Sequence, residues 1–236
     1  MIQRVQKVHF TPFDRDPKGR IKWGTLSEKL QETAWKHAES LGLGMRLLKE
    51  HGLFWAMTRQ WIRFKSTQMP EEVGIFTWPR GFHGNFAHRE FEIRDDKGQI
   101  HLRSTTSWLL VNLLTRSIGS AEAIPEDFKS LRQRTTLDED IPKIEFSEED
   151  LIVEKIKARY YDLDINGHVN NTRYLTWLGN CLYGIEPDRV VRDIFMNFNG
   201  EISANDEIDM MYKSSEDFYF GLKKNDRTVF KARVSP

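Results

Sequence analysis

Asp164-Ile165-Asn166-Gly167-His168-Val169 repeats, in outline, the stretch Asp16-Pro17-Lys18-Gly19-Arg20-Ile21 found 148 positions earlier. Upstream the same offset pairs Val5 with Val153, Lys7 with Lys155, Val8 with Ile156 and Phe13 with Tyr161; downstream it pairs Leu30 with Leu178. Self-similarity at one fixed offset is the mark of a duplicated unit. Each copy has the same order: a short strand pattern, a glycine-containing turn, then an amphipathic helix.

In the first copy Thr25 and Glu28 have capping-box spacing, and Leu26, Leu30, Ala34, Ala38 and Leu41 recur on one helical face. In the second, Asn170 or Asn171 supplies the cap, Tyr174, Leu178, Cys181 and Ile185 form the apolar stripe, and the helix is expected to stop before Pro187. Strand patterns follow each helix. After the first come 61–64, 73–78, 86–93, a turn at Asp95-Asp96-Lys97-Gly98 and a long strand over 100–112. After the second come 194–198, 208–212, 218–222, a turn at Asn225-Asp226 and 228–234. A helix followed by antiparallel strands, repeated once, reads as α+β. The expected division is a first unit over 1–118, a linker over 119–150 containing Pro125, Pro142 and the acids Asp138-Glu139-Asp140, and a second unit over 151–236. Two ferredoxin-like units would share this periodicity, but each needs a second helix that the pattern lacks.

Composition narrows the function. In 236 residues, 35 Lys plus Arg balance 35 Asp plus Glu, so the basic field that drives nucleic-acid binding is missing. No apolar run approaches a membrane span, and Met1 to Lys7 has no signal-peptide core, so membrane insertion is not expected. The lone cysteine, Cys181, rules out an internal disulfide or a Cys-rich zinc site, and a cytoplasmic setting is the expectation. Histidines 9, 37, 51, 83, 88 and 101 show no metal-ligand spacing, and Gly42-Leu43-Gly44 lacks the third glycine of a dinucleotide site. With 15 Phe, 7 Trp and 6 Tyr the chain has ample bulk for two cores.

The chemistry concentrates in Tyr161-Asp162-Leu163-Asp164-Ile165-Asn166-Gly167-His168-Val169-Asn170-Asn171-Thr172-Arg173-Tyr174. A single Asp or Asn here would read as an Asx turn leading to an N-cap. A carboxylate, amides and an imidazole together at a helix start suit carbonyl chemistry instead, because unpaired N–H groups and the positive dipole end can hold an oxyanion. Asp164 is the expected base or nucleophile, with Asn166 and His168 positioning water or the tetrahedral intermediate. The first copy has Lys18 and Arg20 at the matching places, so one site per chain is expected, carried by the second copy. Cys181 sits on an apolar helix stripe and reads as a packed small hydrophobe.

The segment Asp164, Asn166, His168, Val169, Asn170, Asn171 and Tyr174 resembles the active-site pattern of hotdog-fold thioesterases, specifically the acyl-acyl-carrier-protein thioesterases of plants and bacteria. Ser104 to Asn112 with Thr115-Arg116, and Val73 to Trp78, look like strands of that family's first hotdog. The resemblance implies a tandem (double) hotdog, each unit a long helix wrapped by a bent antiparallel sheet. It implies hydrolysis of fatty acyl-acyl-carrier protein to free fatty acid, with Asp164, Asn166 and His168 catalytic and Glu201 as a further acid. The family often has Cys after that Glu; Ile202 stands here. No metal or organic cofactor is implied. The implied partner is acyl-carrier protein bearing a fatty acyl chain, and a homodimer is left open. An acyl-CoA thioesterase and a non-catalytic acyl-thioester sensor are the alternatives. The acyl tail is expected in the first unit, with Leu47, Trp55, Met57 and Trp61 as lining residues. Arg132, Arg134, Lys223, Lys224 and Arg227 are the expected basic docking patch.

Overall fold

The computed structural model describes residues 3–137, 139–145 and 151–236. The 148-residue offset is visible element by element. Strand β1 (Arg4–His9) is followed by a 3-10 turn at Pro12–Asp14 and helix α1 (Trp23–Ser40); strand β6 (Ile152–Lys157) is followed by one at Tyr160–Asp162 and a matching long helix, α4 (Asn171–Ile185). The first copy continues with a short helix α2 (Met45–Glu50) and strands β2 (Leu53–Phe64), β3 (Glu72–His83), β4 (Phe86–Arg94) and β5 (Ile100–Asn112). A one-turn helix α3 (Glu126–Lys129) precedes the second copy, which continues with β7 (Asp193–Phe198), β8 (Glu207–Ser214), β9 (Phe218–Lys224) and β10 (Arg227–Ser235).

Among the described residues, ten strands form one antiparallel sheet in the order β1-β3-β4-β5-β2-β7-β10-β9-β8-β6. The second half of that order mirrors the first, so the copies meet where β2 pairs β7, with Ile62 opposite Ile194 and Gln60 opposite Met196. Both helices lie on one side of the sheet and pack against each other. A Cβ at Gly24 would sit 2.2 Å from Thr176 Oγ1, so glycine is what lets α1 and α4 approach there. Leu26, Leu30, Leu175, Leu178 and Leu182 join Ile62, Ile75, Ile194 and Phe230 in a core that runs unbroken through both units. At ~25 cal/mol per Å2 of apolar area, that shared core binds the two copies together.

Several boundaries differ from the expectations. Helix α1 begins at Trp23, two residues ahead of Thr25, and its N-cap Lys22 makes no side-chain cap; the capping box forms instead between Thr11 and Asp14. The buried stripe ends in Thr33 and His37, not in Ala38 and Leu41. On α4, Leu175 and Leu182 are buried and Ile185 is exposed, while Asn170 caps the helix through Thr172 N–H at 3.0 Å. Strand β2 starts at Leu53 because a bulge between Met57 and Arg59 breaks the alternation that would have revealed it.

The segment after β5 does more than tether. Leu137, Ile141 and Ile144 pack on Trp61 and Phe195 across the face of the sheet away from the helices. Arg134 pairs with Glu92, and Thr136 Oγ1 donates to Glu90 at 2.7 Å. Asp138 and residues 146–150, part of the expected linker, lie outside the described residues.

Candidate active site

The two copies build the same turn. Asp164 Oδ1 accepts the Asn166 N–H at 2.8 Å, Gly167 N–H returns to Asp164 O at 3.0 Å, and Gly167 has φ +79°. In the first copy Asp16 Oδ1 accepts the Lys18 N–H at 2.9 Å, Gly19 N–H returns to Asp16 O at 2.9 Å, and Gly19 has φ +76°. This left-handed conformation explains the glycine in both. The Asx turn is therefore common to the copies, and the difference lies in the second carboxylate oxygen. Asp16 Oδ2 accepts Arg20 Nε at 2.7 Å. Asp164 Oδ2 meets only the Asn166 amide, at 3.4 Å, and borders a cleft.

That cleft, about 610 Å3, is where Asp164, Asn166, His168 and Glu201 come together. Its other wall belongs to the first copy: Phe54, Trp55 and Met57 of β2, Val111 of β5 and Arg116 of the following loop. His168 is carried there by a bridge to Ser203 and by Val169 N–H donating to Ile202 O at 2.7 Å. Its Nε2 lies 3.5 Å from Glu201 Oε2. Glu201 follows the turn after β7, whose Asn199 and Gly200 amides both donate to Val229 O.

Arg116 was not singled out as a site residue by the sequence. It donates from Nη2 to Glu201 Oε2, with its guanidinium 4.9 Å over the Phe54 ring. At φ +58° it holds a backbone conformation uncommon outside glycine, and this aims a side chain of the first copy across the centre of the sheet. Nothing in the local pattern at Thr115-Arg116 signals that reach.

At the start of α4, Asn170 N–H donates to Asp162 O, Thr172 N–H to the Asn170 side chain and Arg173 N–H to Asn170 O. The Asn171 amide has no acceptor among the described residues, and Asn171 lines the cleft. Tyr174 closes the cleft floor. Burial, reinforced by the negative charges of Glu201 and Asp164, pushes its hydroxyl well above the ordinary phenol value and keeps it neutral. Cys181 is buried away from the cleft, and burial with the nearby Glu154 pushes its thiol up to about 12. Among the described residues no cluster of His, Cys, Asp and Glu could hold a metal ion.

The place matching this cleft in the first copy is filled. Trp23, at the position of Asn171, packs on Tyr183 at 5.2 Å, and Arg20 lies 3.9 Å over the same ring. A void of about 20 Å3 remains among Arg20, Trp23, Phe64, Met69 and Val191. A separate groove of about 540 Å3, bordered by Asp16, Lys18, Arg20, Ile21 and Trp23, runs over α1 and α4 and has no strand residue in its lining.

Beyond Trp55, a cavity of about 220 Å3 lies beneath α1, lined by Ala34, Ala38, Leu43 and Trp108. Trp55 borders both it and the cleft. Of the four expected lining residues, Trp55 and Met57 do line these spaces. Leu47 packs in a small cluster around Leu48 and Leu53, and Trp61 is buried on the opposite side of the sheet, its Nε1 donating to Asp193 at 2.6 Å. Of the expected basic patch, Arg227 borders the cleft, whereas Arg134 is paired with Glu92 and Lys224 with Asp206.

Comparison with known proteins matches residues 3–130 to the N-terminal domain and residues 146–233 to the C-terminal domain of acyl-ACP thioesterases. A chloroplastic palmitoyl-acyl carrier protein thioesterase of Arabidopsis thaliana is 30% identical over 195 residues, 75% of this chain and 47% of that one. A chloroplastic dodecanoyl-[acyl-carrier-protein] hydrolase of Cinnamomum camphora is 30% identical over 63% of this chain and 43% of its own. The chain thus spans about half the length of the curated relatives it matches. In fold it matches an acyl-ACP thioesterase from Bacteroides thetaiotaomicron with a TM-score of 0.88, 24% identity and coverage of 99% and 97% of the two chains. It also matches the 12:0-ACP thioesterase from Umbellularia californica, with a TM-score of 0.85, 20% identity and coverage of 100% and 97%. The expected tandem hotdog is the observed fold, and the chain belongs to the acyl-ACP thioesterase family.

Proposed function

We propose that this chain hydrolyses the thioester joining a fatty acyl group to acyl-carrier protein, releasing free fatty acid and the carrier thiol. The observation that carries this reading is the pair of spaces bordered by Trp55: a cleft holding Asp164, Asn166, His168 and Glu201, and a largely apolar cavity beneath α1. A thioester at the cleft would place its acyl tail in the first unit and its carrier outside.

Asp164 is the base in this scheme, through Oδ2, the oxygen the turn leaves least occupied. It takes a proton from water while the water oxygen bonds to the thioester carbonyl carbon. The Asn171 amide and the positive end of α4 face the charge that develops on the carbonyl oxygen. The C–S bond then breaks, and the proton passes to the departing sulfur, giving acid plus thiol. Glu201, held by Arg116, orients the His168 imidazole, and His168 with Asn166 positions the water. No metal or organic cofactor has a part in this scheme, and the cytoplasmic setting expected from the sequence belongs to the same proposal.

The test is thiol release from purified protein given one acyl-acyl-carrier protein and the acyl-CoA of equal chain length. A higher kcat/KM on the carrier protein is expected. A higher value on CoA would make the chain an acyl-CoA thioesterase, and tight binding without turnover of either would make it an acyl-thioester sensor. Arg116 and Arg227 at the cleft mouth suit an acidic carrier, so kcat/KM on the carrier-protein substrate should fall as salt screens them.

A further inference from the structure

The cavity beneath α1 is lined mostly by apolar side chains, with Gln31, His88 and Arg89 among them. Arg89 of β4 points to the helix side of the sheet, as do Phe91 and Ile93, and lines this cavity. No carboxylate among the described residues lies within ion-pair distance of it. Its hydrogen bonds run from Nη1 alone, to His37 Nδ1 at 3.1 Å and Thr77 Oγ1 at 3.2 Å. Arg89 is half-buried, and burial pulls its pKa down to about 10.

Its neighbour His37 cannot supply an anion. Burial, then the charges of Arg89 and Arg4, pulls the imidazole down to about 4, so it is neutral and accepts from Arg89. Gln31 of α1 also lines the cavity, but its Nε2, buried without a hydrogen-bond partner, is closed off from the open space. Trp108 Nε1 is already spent on Thr106 Oγ1 at 2.8 Å. Arg89 therefore gives the cavity a charged donor, while His88, which also borders it, is kept neutral by burial and meets Ser107 Oγ through Nδ1 at 3.1 Å. A guanidinium facing an apolar space favours an oxygen acceptor there.

We infer that this cavity receives the far end of an acyl chain bearing an oxygen acceptor, a terminal hydroxyl or carboxylate, which Arg89 binds. The inference rests on the thioesterase reading of the adjoining cleft. Met57, at the cleft, stands opposite Trp108, which stands opposite Ala87, two residues before Arg89. Two strand spacings of ~4.8 Å and two residues of ~3.4 Å put Arg89 about 12 Å from Met57, a span that only an extended medium chain crosses.

The experiment uses pantetheine thioesters of one medium chain length with plain, terminal-hydroxyl and terminal-carboxylate tails, together with their non-cleavable amide analogues. Turnover is read as thiol release and binding as quenching of tryptophan fluorescence. The oxygen-bearing tails should exceed the plain tail in affinity by about tenfold or more, the worth of a hydrogen bond to a charged group. Arg89→Met should erase that ratio, with its melting temperature checked. A carboxylate arm above the hydroxyl arm would assign the site to dicarboxylic chains, and equal arms to hydroxylated ones. A wild-type preference for the plain tail, or a ratio unmoved by Arg89→Met, would overturn the inference and leave the Arg89 donors to water. Because the amide analogues report binding without turnover, loss of the tail preference and failure of the hydrolase reading give different results.

Discussion

Asp16 and Asp164 occupy the same turn of the same repeat and face opposite fates. Both tie one oxygen into an Asx turn closed by a positive-φ glycine. In the first copy the other oxygen is taken by Arg20, which lies over Tyr183, and Trp23 fills the space in front. In the second copy Asn166, His168 and Asn171 replace Lys18, Arg20 and Trp23, and a cleft opens onto the other unit. One backbone device thus carries an ion pair in one half and, in the other, borders the open cleft where we propose the reaction centre. The lesson is that the turn supplies geometry and three flanking side chains decide its chemistry.

The largest effect that would break this comparison lies in the cleft. His168→Ala or Glu201→Gln should lower kcat by about 10²- to 10⁴-fold in thiol-release assays, the usual cost of a lost acid–base or positioning group. Arg116→Gln should follow Glu201→Gln in direction with a smaller loss. Full activity in a folded Glu201→Gln protein would remove that residue from the mechanism.

Next in size is the stability of the first copy. Burial raises the pKa of Asp16, but hydrogen bonds from the Arg20 side chain and from backbone amides, with the Arg20 charge, outweigh it and leave the carboxyl below its ordinary value. A carboxyl depressed in the folded state stabilises the protein above its unfolded pKa, near 3.9, and that contribution fades as pH falls through the folded value. Asp16→Asn should therefore cost about 1 to 3 kcal/mol at neutral pH, and the gap from the parent should close below about pH 4. Denaturant melts at several pH values would show it. A constant gap would mean that packing, not charge, holds the turn.

Trp55→Ala and Met57→Ala should shift preference between acyl lengths two carbons apart by several-fold, since each methylene accommodated is worth about 0.8 kcal/mol. Trp61→Ala should cost about 3 to 5 kcal/mol of stability and leave the profile unchanged, because Trp61 lies on the other side of the sheet. A profile that moves with Trp61 instead would misplace the tail. Cys181→Ala should be the mildest, keeping activity and losing about 1 kcal/mol.

What was legible in the sequence follows the range of the interactions. The turn, the Asn170 cap and helix α4 are written within a dozen residues, and so were read directly. The Asp, Asn, His set belongs to that same local segment. Arg116 was missed because its partner Glu201 is distant in sequence and meets it only through the β2–β7 pairing. The packing of Leu137, Ile141 and Ile144 on Trp61 was missed because proline and a run of acids give that stretch the composition of a free tether. Thr33 and His37 end the buried stripe of α1 in place of Ala38 and Leu41 because His37 meets Arg89 from β4, a contact no helical period encodes.

The direct test of the central claim is a pair of isosteric changes, Asp164→Asn and Asp16→Asn, assayed side by side for thiol release from the same acyl-acyl-carrier protein. Asparagine keeps the oxygen that each turn needs and puts an NH2 donor in place of the other, removing the charge and one acceptor. Asp164→Asn should lose about 10²-fold or more in kcat with its melting temperature nearly unchanged, whereas Asp16→Asn should melt lower and keep its kcat. Equal losses of activity in the two folded variants, or near-normal turnover by Asp164→Asn, would contradict the assignment of the reaction centre to the second copy.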